Sequence, residues 1–137
     1  MAREVQLRWI APNAVAWDAD VVWKEFVELL RAAPFKALSP LQQVAFLAFE
    51  CDELARVHGA RAYVERSGVL RARAAARALS KLGADEQARC IRAAARKSSS
   101  SREAAAAWTS IEPHLRRYLA AYEPHFVRVT PQSCNPR

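Results

Sequence analysis

Residues 72–94 read ARAAARALSKLGADEQARCIRAA, and this stretch limits what the chain can become more than any other. It describes two short helices joined by a turn at Leu82-Gly83-Ala84-Asp85. In the first, Ala72, Ala75, Leu79 and Leu82 share one face, while Arg73, Arg77 and Lys81 recur every four residues on the other. In the second, Ala88, Ile91 and Ala95 face inward, and Arg89, Arg92 and Arg96 face out. Gly83 is a helix stop signal, and Asp85 is the expected cap of the following helix, which runs from Glu86 to about Arg96. A chain whose clearest segment buries methyl groups on one side and exposes guanidinium groups on the other must pack helix against helix.

The rest of the chain agrees. With 137 residues it is expected to form a single helical domain with its own core, and only three glycines interrupt a composition rich in Ala, Leu, Arg and Glu. Residues 1–17 are expected to be an extended N-terminal segment, with polar and apolar residues alternating in REVQLRWI at Val5, Leu7 and Trp9. Asp18 or Asp20 can cap a first helix that ends before Pro34, with Val22, Phe26, Leu29 and Leu30 inward. Ser39-Pro40-Leu41-Gln42 is a complete helix start: Ser at the cap, Pro at the first position, Gln placed to close a capping box. The helix that follows, about 39–57, is apolar over a wide arc and is expected to be central, with His58-Gly59 as its stop. A short third helix spans about 60–66, and the fourth spans about 70–82.

The serine tract 98–101 reads as a surface loop. Ser100 and Glu103 are expected to open a further helix that Pro113 interrupts, and a last helix spans about 114–122. Phe126, Val127 and Val129 would fold back as an extended tail, and residues 131–137 would fray. The expected architecture is therefore all-α: a bundle of six or seven short helices around the central one. Its core would hold Phe26, Leu30, Val44, Leu47, Leu54, Leu79, Leu82, Ile91, Leu115, Tyr118 and Leu119.

Several pieces of this order resemble a bacterial domain of unknown function, the family typified by DNA mimic protein nineteen. The resemblance covers about residues 38–127. In that family an alanine-rich helix, an aliphatic-Gly-Ala turn and a second alanine-rich helix follow one another. Here they read Ala78-Leu79, Leu82-Gly83-Ala84 and Ala88. A second family marker, the turn Asn-Gly-Gly-Phe-x-Gln-Tyr-Phe-x-Asn after the central helix, is matched at Gly59 and Tyr63. It is departed from at Val57, His58, Ala60, Ala62 and Arg66. The resemblance implies an all-helical fold and a non-enzymatic, partner-binding role. The founding member imitates DNA with an acidic surface, whereas this chain carries 21 basic and 14 acidic residues, which argues against DNA mimicry here.

Charge is unevenly placed. Residues 1–55 carry a net −3, residues 56–102 a net +9 and residues 103–137 a net +1. Arginine and alanine both have GC-rich codons, so their abundance does not by itself assign a function. The basic faces at Arg61, Arg66, Arg73, Arg77, Lys81, Arg89, Arg92 and Arg96 are the expected partner-binding residues. They suit a protein partner, an acidic one by charge. The alternative is nucleic acid held by its phosphates, since residues 64–107 contain no aromatic side chain to stack on a base.

Catalysis has little to build on. Glu50, Asp52 and Glu53 are explained by helix-face pairing with Arg56. His58 sits at a helix end, where a small hydrolase-like site is the weaker alternative. Cys51, Cys90 and Cys134 lack metal spacing and read as reduced thiols, and three glycines make no phosphate loop. No enzyme activity, metal or cofactor is expected. No apolar run long enough for a membrane span and no signal-peptide pattern occur, so the expected location is the cytoplasm.

Overall fold

The computed structural model describes residues 7–10, 19–96 and 107–129. The fold is all-α. Six α-helices occur among the described residues: α1 (Ala19–Ala32), α2 (Pro40–His58), α3 (Ala60–Ser67), α4 (Val69–Lys81), α5 (Asp85–Ala94) and α6 (Glu112–Tyr122). Two short strands, β1 (Arg8–Ile10) and β2 (Val127–Val129), pair in parallel with Arg8 opposite Val127. Two 3-10 turns, Phe35–Ala37 and Glu123–His125, complete the elements. Most of the segment 1–17, the serine tract and the tail 131–137 lie outside the described residues. The chain divides into two compact units, one of Met1–Gln43 with Arg116–Arg137 and one of Val44–Leu115.

The first unit is held by aromatic packing and by backbone ties. Phe26 and Phe126 are fully buried and meet edge to face at 4.9 Å, with Tyr118 also edge-on to Phe126 at 6.1 Å. Arg8 bonds twice: its backbone N–H donates to the Phe126 carbonyl, and its guanidinium pairs with Glu25 at 3.0 Å. The expected capping box forms. The Ser39 N–H donates to Gln42 Oε1 at 2.9 Å, and the Gln42 N–H donates to Ser39 Oγ at 3.3 Å. Gln42 is fully buried, and its amide nitrogen donates to the His125 carbonyl at 2.7 Å. The residue that caps the helix therefore also anchors the chain just before β2, and its burial costs little because both ends of the amide are bonded.

The second unit is built on alanine. Ala45, Ala48, Ala72, Ala75, Ala76, Ala88 and Ala93 are all fully buried, with Leu79, Ile91 and Tyr63 as the large side chains between them. The turn from α4 into α5 closes as the sequence anticipates. Gly83 adopts φ 84°, the Gly83 N–H donates to the Ser80 carbonyl, and the Ala84 N–H donates to the Leu79 carbonyl. At Gly59, φ is 90° and ψ is 160°, a backbone region that only glycine enters without strain, so α3 starts directly where α2 stops.

Four expectations need correction. Val44, Leu47 and Leu54 are half-buried, because α2 turns Ala45, Ala48, Phe49, Cys51, Asp52 and Ala55 inward instead. Small side chains let helices approach closely, and the bulky ones flank the contact. Tyr118 is half-buried because its hydroxyl reaches the Leu41 carbonyl at 2.9 Å. The cap of α5 is Ala84, with no side-chain bond; Asp85 is the first helical residue, and the helix ends at Ala94 rather than Arg96. The expected helix from Ser100 lies outside the described residues up to 106, and residues 107–111 are not helical. There the Ile111 N–H donates to Asp52 rather than to a carbonyl one turn back, and Pro113 sits in the first turn of α6, where a missing N–H costs nothing.

Two outcomes follow from this packing. Leu79→Ala and Ile91→Ala should each lower unfolding stability by about 2–5 kcal/mol, towards the upper end because the alanines around them cannot refill the space. A shift of the urea midpoint at constant slope would show it. Tyr118, by burial and then by the neighbouring Tyr122, is pushed up from 10 to about 12. The folded chain keeps a proton that the unfolded chain releases, so this contribution is full below pH 10 and is lost as the pH rises towards 12. Tyr118→Phe should lose stability less steeply across that interval.

Candidate partner-binding groove

On a helix, residues four apart lie one above the other, separated by a rise of about 6 Å. Arg73 and Arg77 form such a row on α4. Arg92 lies in the last turn of α5 and Arg96 just beyond it. The tight turn at Gly83 sends α5 back along α4, and the two rows then face one another. Arg73, Arg77, Arg92, Ala95 and Arg96 line one open groove of about 410 Å³ in the second unit. No carboxylate is among the described lining residues. All four arginines are exposed, and the Arg92 guanidinium donates to Ser80 Oγ at 3.3 Å.

Arg73, Arg77 and Arg96 form no ion pair with any described residue. Like charges four apart on a helix cost about 0.2–0.5 kcal/mol per pair. An anion in the groove would relieve that repulsion and would meet rigid guanidinium forks suited to paired oxygens. Arg71, two residues from Arg73, contrasts with it. It pairs with Glu50 at 3.0 Å and lies over the Phe46 ring at 5.6 Å, so its charge is matched within the fold.

The other expected binding residues lie elsewhere. Lys81 is exposed at the end of α4 without lining the groove. Arg89 borders a smaller hollow of about 170 Å³ that also holds Glu86, Cys90 and Trp108. Arg61 and Arg66 are exposed on α3, outside the groove. Gly59 and Tyr63, the residues shared with the family turn, serve the fold: Gly59 sets the backbone between α2 and α3, and Tyr63 is fully buried. The Tyr63 hydroxyl has no hydrogen-bond partner among the described residues. His58 is exposed as the last residue of α2, and no hydrogen bond joins it to a described side chain. Cys51 and Cys90 are buried, and burial raises the Cys51 thiol far above its ordinary value, with Asp52 adding to it.

Asp52 has a role that helix spacing does not reveal. It is only 5% exposed. Its Oδ1 accepts from Trp108 Nε1 at 2.8 Å and from the Ile111 N–H at 3.0 Å, and its Oδ2 accepts from Ser110 Oγ at 3.2 Å. The expected pairing with Arg56 is present at 3.8 Å and is the loosest of these contacts. Gln87, also buried, donates to the Thr109 carbonyl at 3.2 Å. Residues 108–111 are thus tied down by one carboxylate and one amide. The signal in the sequence was an acid beside Cys51 in the most apolar helix, since a buried carboxylate must find donors. Which donors it finds is a matter of distant chain placement.

Among the described residues no group of three or more His, Cys, Asp or Glu side chains could hold a metal ion, and no helix is long and apolar enough to cross a membrane. No family model matches this chain, and no match was found among curated proteins or solved structures.

Removing the Asp52 carboxylate strands the Trp108 and Ile111 donors. Asp52→Ala should cost about 3 kcal/mol, since hydrogen bonds to a charged group are worth about 1.5–3 kcal/mol each and the orphaned donors add to the loss. Amide exchange at Ile111 should accelerate markedly, while amides of α4 keep their protection relative to the new global stability.

Proposed function

We propose that this chain is a non-enzymatic protein-interaction module, and that it binds an acidic surface of its partner through Arg73, Arg77, Arg92 and Arg96. The observation that carries this reading is the convergence of four guanidinium groups on one groove that no described carboxylate lines. Each could be neutralised by an anion, and none of the four forms an ion pair with a described residue. The resemblance to the DNA-mimic-protein family points the same way, to a partner-binding role without chemistry, and the basic groove is the opposite of a DNA mimic. The cytoplasm is the proposed site of action, a compartment in which cysteine thiols stay reduced.

A protein partner is preferred over nucleic acid because exposed apolar side chains adjoin the arginines: Leu70 is 81% exposed, three residues before Arg73. Phosphate backbones make no use of such a side chain, whereas protein interfaces do.

The test is capture from the source cell with and without nuclease, using wild type and a variant with Arg73, Arg77, Arg92 and Arg96 all changed to Glu. A partner protein should survive nuclease and be lost from the variant. Four surface ion pairs at about 0.5 kcal/mol each correspond to at least about thirtyfold in affinity, and reversal adds repulsion. Capture that disappears with nuclease would transfer the groove to nucleic acid. Capture that survives the four reversals would show that the partner binds elsewhere.

A further inference from the structure

We infer that the occupant of the arginine groove is an acidic amphipathic helix of the partner protein, which sets an apolar side chain on Leu70 and carboxylates one and two turns further on against the four arginines. This inference rests on the proposed reading of the groove as a protein-binding site.

Three observations carry it. First, the cations stand on two walls, Arg73 and Arg77 on α4, and Arg92 on α5 with Arg96 two residues past its end. The α4 pair repeats after four residues, a rise of about 6 Å. A third helix laid over two others addresses both walls at once, because its residues at i+3 and i+4 diverge to either side of its contact line and recur at i+7 and i+8. An extended peptide presents only one line of side chains per face, and so matches one wall.

Second, the α4 row continues into apolar surface. Leu70 precedes Arg73 by three residues and Arg77 by seven, which puts all three on one stripe of the helix. It is the most exposed large hydrophobic side chain among the described residues, and Val69, four residues before Arg73, is 40% exposed. An isolated exposed leucine is ordinary. Here, though, it lies at the end of a charged row, where a partner side chain could cover it and fix the register of the carboxylates.

Third, the charges of the described lining residues are of one sign only. The lining holds four cations and Ala95, so electrostatic complementarity demands an occupant whose contacting face is acidic. The small methyl group of Ala95 leaves room for that occupant to approach.

The experiment uses the full chain and three labelled peptides of equal length and charge, the first two identical in composition, titrated by fluorescence anisotropy at low salt. The first is locked as a helix, with Leu at one position and Glu at three, four, seven and eight positions further on. The second is an equally helical permutation with the Glu residues spread around the axis. The third has the order of the first but cannot form a helix because a central residue is replaced by D-proline.

The first peptide should bind at least about tenfold more tightly than the other two. Leu70→Ser should reduce that preference by about tenfold, as expected for losing a buried leucine contact, and leave the weaker peptides unchanged. Leu70 is largely exposed, so this substitution leaves the fold intact. Equal binding of all three peptides, or a Leu70→Ser protein that keeps its preference, overturns the helix and leaves the groove as a general acid-binding site. Absence of binding by all three overturns the inference. If the partner captured from cells is still lost from the four-arginine variant, the proposed function then stands without it. Duplex DNA bound more tightly than the first peptide overturns the inference in favour of phosphate.

Discussion

Ala72, Ala75 and Ala76 on α4 and Ala88 and Ala93 on α5 are fully buried, and only close approach between helices buries so small a side chain. Alanine brings advantages that larger residues do not. It loses no side-chain entropy on packing and favours the helix more than any other residue. Its weakness is that each methyl buries little surface, so the helices must touch along many positions for dispersion to accumulate. Leu79 and Ile91 supply the larger burial between them. Once two alanine faces are pressed together, the long side chains are forced to the outer edges of the pair. The arginine groove is thus a geometric consequence of the packing, and it needs no further interaction to form.

The two units solve the problem of polar burial by the same device, one polar side chain that bonds in several directions. In the first, Gln42 takes the Ser39 N–H on its oxygen and gives its amide nitrogen to the His125 carbonyl. In the second, Asp52 takes three donors from residues 108–111. Each ties a helix start or helix interior to chain far away in sequence. An apolar residue in either place would pack as well but would leave the distant backbone donors or acceptors unpaired. Specific placement of the returning chain therefore depends on these two polar groups more than on the hydrophobic surface around them.

What was legible in the sequence follows from the range of the interactions involved. The Ser39–Gln42 capping box, the Gly83 turn and the arginine rows are local, and all three stand as read. A short turn favours an antiparallel return of α5, from which one patch of Arg73, Arg77, Lys81, Arg89, Arg92 and Arg96 is expected; the groove brings together four of the six. Arg89 is exposed as its stripe implies. It shares the helical stripe of Arg92, yet it borders a different hollow with Glu86 and Trp108. The inward face of α2 was misjudged. Hydrophobicity favoured Val44, Leu47 and Leu54, whereas side-chain volume selected Ala45, Ala48 and Ala55. The bonds from Asp52 to Trp108 and from Gln42 to His125 join residues more than 50 positions apart, and no periodicity encodes them.

Arg71 and Arg73 show how one helix separates a charge paired within the fold from one exposed to solvent. They are two residues apart and point about 200° apart around the axis. Arg71 meets Glu50 and the Phe46 ring, so its removal would disturb packing as well as charge. Arg73 faces the groove and meets no described carboxylate. The repulsion between neighbouring guanidinium groups is a small fraction of a domain's stability, and a fold can retain it where an external anion removes it. The same chemical group, repeated along one helix, is thus paired within the fold on one side and exposed without a described carboxylate on the other. Helical rotation decides which, and composition does not.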